Sequence, residues 1–407
     1  MSFLDRILGR KAEPVAAYNP ADWEALITSI PTAAGISVTP ANALRSPTLL
    51  ACVRAVSEAV GMMAVKVRQR DGDGWKAVDD HPAALLTNHW ANGWDAATTL
   101  RTQLQVDAML HGEAFAQVIK TGKKPIALNR LLPGSVGVKL DETSGEPSYQ
   151  VTTGAGETVT LSYRDVLHIA TPGASLDRPM ALINLARESI AVEIAMLAHQ
   201  GSTFRNGGLP RIVLSPRSNI APGQIEISPD ALKNSLKFFR AQLAKNDGAP
   251  ILLPQDFAEA FKSFGMRDMQ FTELLQRVSQ NIAAAMRVPG PAINDLSAST
   301  YNNVEHASRD LIQKAILPWT EVWEAAYTRV LIDPKDRVNL EIEFIVRDML
   351  RGDFKSQSEA YRLAGGGAYL SVNEIRALDG YPPHPDGNGL IKQAGQTDKP
   401  KDPPEPA

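Results

Sequence analysis

Two long helical segments enclose a compact insert in the middle of the chain, and this pairing limits the fold more than any other feature. The first, residues 180–206, keeps apolar residues at helical spacing and ends at Asn206-Gly207-Gly208. The second, residues 268–287, has an apolar stripe of the same period and ends before Val288-Pro289. The sequence therefore predicts a long helical hairpin with a decorated end. The residues expected to pack its helices are Ile190, Ile194, Leu197, Phe271, Leu275, Val278 and Ile282.

The insert between the two helices is predicted to be a small α/β unit. It contains the strand pattern RIVL, the helix DALKNSLKFFRAQLA, the strand PILLP and the segment FKSF. Lys233, Lys237, Arg240 and Lys245 lie on or near one face of its helix. A basic run of this kind is either a solvated face or a docking surface, and the residues alone leave both interpretations open.

The part before the hairpin is predicted to be α+β. Ser46-Pro47 opens a helix, with Ser46 as its N-cap. The hairpin VKVRQR-DGDG-WKAV follows, then a helix from Asp95 that ends at Gly112, the strand EAFAQVIK and further strands over 134–170. The extreme N-terminus, MSFLDRILGRK, carries charges inside its apolar stretch and is predicted to be a short amphipathic helix rather than a signal peptide.

The part after the hairpin begins with a polar segment, SASTYNNVEHASRD, that leads from Ser297 into another helix. The helix is predicted over 302–332, with a kink at Pro318. The strand NLEIEFIV follows, and then two short helices around Gly365-Gly366-Gly367. The end, QTDKPKDPPEPA, is predicted to be disordered. A polar loop between two helices is typical of an active-site lid, or of a segment that lines a hole in a ring.

Length, charge and cysteine content exclude several classes of protein. A chain of 407 residues predicts two or more structural units. The net charge of −3 disfavours a sequence-specific DNA binder and a polybasic membrane protein. The single cysteine, Cys52, lies in an apolar helical pattern, which predicts a buried thiol and a reducing compartment. No run of about 18 apolar residues occurs, so no membrane span is predicted.

Motifs for catalysis and metal binding are missing from the sequence. The segments TGKK and PGSVG each depart from the Walker A and nucleophile-elbow patterns, and no HExxH or CxxC occurs. His81 and His89 have no clear third ligand, and His168 lies in a strand pattern that indicates a structural role. We therefore predict no catalytic residue, no metal and no cofactor, and a protein that is not an enzyme. The alternative is a soluble enzyme with residues 289–302 as its lid; a protein-binding adaptor is a third reading.

A series of segments along the chain resembles the portal proteins of tailed bacteriophages, in the siphophage-type branch that includes prophage and gene-transfer-agent portals. Glu113 and Gly290 stand where that family commonly has asparagine and proline, and Ala292-Ile293-Asn294-Asp295 replaces a more apolar stretch. The segments that carry the resemblance are, in order, MSFLDRILGRK, SPTLLACVRAVSEAVGMMAVKVRQR, HPAALLTNHWANGWDAATTLRTQLQVDAMLHGEAFAQVIK, RDVLHIA, STFRNGGLP, DMQFTELLQ, NIAAAMRVPGPAI, STYNNVEHAS, LPW, MLRGD and VNEIRALDGYPP.

The resemblance implies an α+β portal fold with wing, stem, clip, tunnel loop and helical crown, assembled as a ring of about twelve copies. It implies a head–tail connector at one capsid vertex of the virion, assembled in the host bacterial cytoplasm. The implied parts are a 1–24 N-terminal arm, a 25–180 wing, stem helices at 181–206 and 267–287, a 207–266 clip, a 288–302 tunnel loop, a 303–347 helix and strand of the wing, a 348–390 crown and a 391–407 tail.

The implied partners are further copies of the chain, double-stranded DNA without sequence specificity, the terminase large subunit, a head–tail adaptor and the major capsid protein, with no membrane. Polar, uncharged loop residues suit sliding DNA, because they touch phosphates without the salt-dependent grip of lysine. Arg287 would contact phosphate or a neighbouring subunit, and both remain open. The DNA-facing residues expected are Arg287, Asn294, Asp295, Ser297, Ser299, Thr300, Asn302 and Asn303, and the clip docking surface is Lys233, Lys237, Arg240 and Lys245.

Overall fold

The computed structural model divides the chain into two compact units, one ending at Ile345 and one beginning at Val346. No helix in the part of the chain that the structure describes is long and apolar enough to cross a membrane. The predicted N-terminal arm 1–24 and tail 391–407 lie outside that part. The described residues are 32–72, 74–154, 156–174, 180–205, 212–216, 233–234, 237, 257–262, 271–295, 301–349, 354–366, 369–378 and 381–390.

Helices and short strands alternate through the first unit, and the described part of the second unit contains two α-helices followed by the irregular segment 381–390. The helices are α1 Pro40–Ala43, α2 Pro47–Met62, α3 Pro82–Asn88, α4 Ala97–His111, α5 Leu182–Leu185, α6 Arg187–Arg205, α7 Phe271–Ala285, α8 Tyr301–Asp310, α9 Leu317–Leu331, α10 Phe354–Gly366 and α11 Val372–Leu378. The strands are β1 Val65–Asp71, β2 Gly74–Ala77, β3 Glu113–Thr121, β4 Lys124–Leu131, β5 Val136–Leu140, β6 Pro147–Thr152, β7 Thr158–Ser162, β8 Val166–Ala170, β9 Ile212–Pro216, β10 Phe257–Lys262 and β11 Leu340–Phe344.

The strands form small antiparallel sheets. Their orders are β11-β1-β2, β4-β3-β8, β5-β6-β7 and the pair β9-β10. Strand β11 lies about 270 residues after β1 in the sequence. The two strands nevertheless pair, with Val65 opposite Phe344. The chain that leaves through the long helices therefore returns to the sheet near its beginning.

Helix α2 is fixed at both ends by side chains. At its start, Ser46 accepts a hydrogen bond from the Leu49 amide at 3.0 Å, the N-cap that the sequence predicts. At its end, the fully buried Arg101 of α4 donates to the carbonyls of Val60, Gly61 and Met63. These carbonyls have no partner within the helix, so Arg101 satisfies the C-terminus of α2 from inside the core.

An aromatic cluster joins α9 to the first sheet. Trp323, Tyr327 and Phe344 are buried, with the rings of Tyr327 and Phe344 stacked at 6.3 Å. The Trp323 indole donates a 2.8 Å hydrogen bond to Gln105 Oε1, and the Arg101 guanidinium lies 5.3 Å above the Phe344 ring. The core of the first unit is thus built from segments far apart in the sequence.

Several predicted boundaries are wrong, each for a local reason. The helix predicted over 180–206 is two helices, because the backbone leaves helical geometry at Ala186. Before Pro318 the chain forms a π-helix, Leu311–Ile316, in which the Leu317 amide reaches the Ile312 carbonyl; the wide turn accommodates a residue that lacks an N–H. The first two of the three glycines from Gly365 lie within α10 rather than between helices.

The insert is described in part. Strand β9 matches the predicted RIVL, and residues 233–234 and 237 are helical as predicted. The partner of β9 is β10, which begins before the predicted FKSF segment. The predicted strand PILLP, Arg240 and Lys245 lie outside the described residues, whereas Lys233 and Lys237 are exposed.

Candidate functional site

The end of α7 is a tight turn with an arginine where glycine is favoured. The Arg287 amide donates to the Ala284 carbonyl at 3.0 Å, and the Val288 amide to the Ala283 carbonyl at 2.9 Å. This pair of bonds is a Schellman cap, and it places Arg287 in the left-handed region at φ 57°. A side chain there costs roughly 1–2 kcal/mol relative to ordinary helical geometry. The helix itself ends at Ala285, two residues before the predicted end of the stem at 287.

The next residues fold into a second compact turn rather than an open loop. A 3₁₀-helix spans Gly290–Ile293, and Asn294 follows at φ 62°. The Asp295 amide returns to the Gly290 carbonyl at 2.9 Å, which closes the turn. A Cβ on residue 290 would lie 3.0 Å from the Asp295 carbonyl oxygen, so glycine suits this close approach better than a larger residue. We call residues 286–295 the stem turn.

The predicted DNA-facing residues divide into three groups. Arg287 and Asn294 are exposed on the stem turn, and Asp295 is half-buried there. Asn302 was predicted in the loop and Asn303 beside it, but helix α8 begins at Tyr301, directly after Ser299-Thr300, two residue types that favour an N-cap. Ser297, Ser299 and Thr300 lie outside the described residues.

A groove of about 840 Å³ separates the stem turn from the helix that follows it. Its charged residues come from three elements: Arg287 and Asp295 from the stem turn, Asp310 from α8 and Lys314 from the π-helix. Lys314 Nζ lies 2.8 Å from Asp310 Oδ2. Both signs of charge therefore occur side by side. The remaining lining residues are Gln280, Ala283, Ala284, Val288, Pro289, Gly290, Pro291, Ala307, Gln313 and Pro318.

The predicted stem stripe is buried at one end and half-buried at the other. Ile190, Val278 and Ile282 are buried where α6 and α7 approach the rest of the unit. Further along the same helices, the side chains of Ile194, Leu197, Phe271 and Leu275 remain half-buried. Phe204, near the end of α6, and Leu274, in the first turn of α7, are exposed. The residues of the stripe lie on helices, as predicted. The fold of a single chain buries one part of the stripe and leaves the other part half-buried.

A buried carboxylate that the sequence prediction missed joins the stem to α2. Glu193 of α6 is 3% exposed and accepts hydrogen bonds from Ser46 Oγ, from Thr48 Oγ1 at 2.6 Å and from Ser279 Oγ of α7 at 3.5 Å. The signal was present in the sequence, since Glu193 lies between Ile190 and Ile194 on the apolar face. Burial, with a smaller contribution from the Glu193 carboxylate, raises the pKa of the Cys52 thiol to about 12. This agrees with the predicted inert thiol.

A second set of buried polar groups lies between two sheets. His168 Nε2 is 3.1 Å from Glu113 Oε2, and its Nδ1 is 3.1 Å from Tyr149 Oη. All three side chains are buried, and burial raises the pKa of Tyr149 to about 12. None of them lines the groove, so this arrangement resembles a catalytic relay in residue type but has no access to a substrate. His168 has the structural role that its strand pattern predicts.

No group of three or more metal-ligating side chains that could hold an ion occurs within the described ranges. The stem turn instead carries an exposed guanidinium, Arg287, and an exposed side-chain amide, Asn294, near the Asp295 carboxylate, on a turn closed by its own backbone hydrogen bonds.

Comparison with known proteins gives one consistent result. The family model described as phage portal protein matches residues 47–380. Over 416 aligned residues the chain is 26% identical to the probable portal protein of Streptomyces phage phiC31, covering 96% of this chain and 87% of that protein. It is also 26% identical to the portal protein of Enterobacteria phage HK97, covering 88% of this chain and 84% of that protein.

Solved structures show the same fold. A chain in the neck of a native gene transfer agent particle, computed with C12 symmetry, superposes with a TM-score of 0.57 at 20% identity, covering 94% of this chain and 99% of that one. An HK97-family phage portal protein from Corynebacterium diphtheriae superposes with a TM-score of 0.56 at 14% identity, covering 76% of this chain and 96% of that one.

Proposed function

Since this chain belongs to the phage portal protein family, the head–tail connectors of tailed phages, we propose that it forms a closed ring of about twelve copies around a DNA channel. The family is structural, and the protein is a component of the virion. What we propose beyond family membership is the ring, its DNA channel and the individual partners. The observation that carries it is the stem turn, a compact hydrogen-bonded turn that exposes Arg287 and Asn294 at the end of a long helix, in a protein of this family.

The unevenly covered stem stripe supports the ring. Phe204 is 66% exposed and Leu274 is 49% exposed, although both lie on long helices whose other ends are buried. In a closed ring each helix has a neighbouring subunit on both sides, because heterologous contacts repeat around the axis. The half-buried stretch of the stem is then covered by the next copy. Exposed large apolar side chains near the ends of long helices support a contact with a neighbouring subunit.

The charge pattern of the groove suits DNA that must move. Each ring position repeats about twelve times, so even one strongly held phosphate contact per subunit would multiply into a salt-dependent grip. Here Arg287 is accompanied by Asp295, and Lys314 is paired with Asp310. The carboxylates limit the net positive charge at the bore. We infer that the stem turn guides DNA by weak, exchangeable contacts.

Packaging in this proposal depends on a separate motor. The sequence lacks a Walker A motif, so the terminase large subunit would supply ATP hydrolysis. It would dock at the insert between the stem helices, where Lys233 and Lys237 are exposed. A head–tail adaptor would take the same surface after packaging, and the major capsid protein would contact the outer part of the ring.

The enzyme alternative finds less support. Of the predicted lid 289–302, residues 290–295 form a compact turn that is closed by the hydrogen bond from the Asp295 amide to the Gly290 carbonyl. The groove below them is lined by alanine, proline, glutamine and four charged residues. These described lining residues include no histidine, cysteine, serine or tyrosine, so base or nucleophile chemistry there would fall to Asp295, Asp310 and Lys314.

Reversing the charge of Arg287 tests the channel assignment. We expect Arg287→Glu to leave the ring mass unchanged and to lower the yield of DNA-filled particles at least tenfold in a packaging assay, because a ring of carboxylates would repel the phosphates. Lys139→Glu is the matched control, since Lys139 is exposed on strand β5. Packaging at the wild-type level in Arg287→Glu would exclude Arg287 from the channel. Loss of the ring itself would show that Arg287 pairs with a neighbouring subunit.

A further inference from the structure

The second unit shows no buried hydrophobic side chain among those of residues 346–390 whose burial the structure describes. Ser371 and two glycines are the buried residues there. By contrast, Leu363, Tyr369 and Tyr381 are 68%, 82% and 61% exposed. Burial of apolar surface is the main source of folding stability, and a short helical unit without it is marginal.

The backbone of this unit is nevertheless held in a defined arrangement by polar contacts. Ser371 and Glu374 form a reciprocal cap at the start of α11, at 2.7 and 3.3 Å. Asn373 binds the loop 381–390 through the His384 amide and carbonyl and through Asn388. The close approach of α10 and α11 is fixed at Gly365, where an added Cβ would lie 3.0 Å from Ile375 Cδ1. The exposed side chains of Leu363, Tyr369 and Tyr381 therefore project from a backbone whose conformation these contacts define.

We propose that Leu363, Tyr369 and Tyr381 form a contact surface for the second unit of the adjacent copy of this chain, and that this contact covers the apolar surface that these side chains expose in one copy. We call these three residues the crown face. The inference rests on the proposed ring, because a closed ring places the same unit of the next copy beside each second unit. The large aromatic content of the crown face is typical of interface centres.

The charges of the unit favour a copy of itself as the partner. Its described charged side chains carry both signs: Arg362 and Arg376 against Glu359, Glu374 and Asp386. Two copies side by side can therefore meet without a large net repulsion, whereas a strongly charged partner would find little complementary potential. Arg376 also lies 5.5 Å above the Tyr381 ring and donates to the Pro382 carbonyl, which holds that tyrosine in place.

Thiol labelling can test this contact without disturbing the fold, because the native Cys52 is buried with a pKa of about 12 and stays unreactive. Single variants Leu363→Cys and Tyr369→Cys place a reporter on the crown face. Ser358→Cys is the matched control, as Ser358 is an exposed residue of the same helix α10. The ring and the unassembled fraction of each variant are separated by size, and the rate of reaction with a maleimide is measured in both.

We expect both crown-face thiols to react at least tenfold more slowly in the ring than in the unassembled fraction, with Ser358→Cys equally fast in both. Equal rates in the ring and the unassembled chain would overturn the contact while leaving the ring intact. Slow labelling already in the unassembled chain would also overturn it, since the same chain would then supply the cover. A wild-type chain that forms no ring would contradict the proposed function itself.

Discussion

The core of the first unit and the stem turn are held together in opposite ways. In the core, Arg101 and Trp323 are buried, and their polar atoms meet partners from distant segments of the same chain. In the stem turn, the hydrogen bonds run between backbone groups a few residues apart, and Arg287 is held exposed in a strained conformation. One chain thus completes its own scaffold, whereas the stem turn leaves the charged Arg287 side chain exposed. Four substitutions test this difference.

The largest effect is expected at Arg101. Arg101→Leu would leave several buried carbonyls at the end of α2 without donors, and each such group costs about 1–3 kcal/mol. We expect a loss of about 3–5 kcal/mol in the free energy of unfolding, measured by denaturant titration. The control is Arg54→Leu, which removes an exposed pair with Glu58 and should change the stability by about 0.5 kcal/mol or less. Similar losses in the two variants would mean that the buried guanidinium is replaceable.

The second effect separates backbone conformation from packing. Gly112 and Gly122 both have positive φ, 88° and 62°, but an added Cβ at Gly112 would lie 2.6 Å from the Ala181 amide nitrogen, whereas Gly122 has open space. Gly122→Ala should cost about 1–2 kcal/mol for conformation alone. Gly112→Ala should cost at least about 1 kcal/mol more, since the chain before α5 must shift. Thermal denaturation of the pair measures the difference, and equal melting temperatures would contradict the close approach at Gly112.

The third change probes the link between scaffold and stem. Glu193→Ala leaves the buried hydroxyls of Ser46 and Thr48 without their acceptor and should cost about 2–3 kcal/mol. Glu193→Gln keeps one acceptor oxygen and should lose less than half of that. Denaturant titration of both variants gives the comparison. If the two substitutions are equally destabilising, the carboxylate and not its hydrogen bonds dominates the link.

The smallest effect has the opposite sign. Arg287→Gly removes the strain of a side chain at φ 57° and should stabilise the isolated chain by about 1 kcal/mol. If Arg287 contacts DNA, the same variant should retain less DNA in filled particles. A variant that is more stable and also fully active would show that the strained arginine has no role in the channel.

Much of this fold is predictable from local patterns in the sequence. The α2 cap at Ser46, the β1–β2 hairpin and the glycine at the end of α4 follow from residue types within a few positions of one another. The break at Ala186 and the π-helix before Pro318 were not predicted, because the apolar spacing continues through both.

The candidate site was predictable in outline and not in detail. The Val288-Pro289 stop marks the end of α7, and the structure shows Arg287 and Asn294 exposed on the turn around it; that they face DNA stays a prediction. The Schellman cap on an arginine gives no signal, since that position favours glycine. Glu193 was missed because its partners Ser46 and Ser279 come from segments about 150 and 90 residues away, a pairing that only the tertiary fold creates.

The central claim is that this chain closes into a ring, and its native mass in solution tests that claim most directly. Twelve copies of a 44.0 kDa chain form a particle of about 530 kDa with a central hole, measurable by mass photometry and negative-stain microscopy. We expect that mass and a visible hole. A stable dimer or tetramer without a hole would contradict the ring, and with it the channel formed by the stem turn.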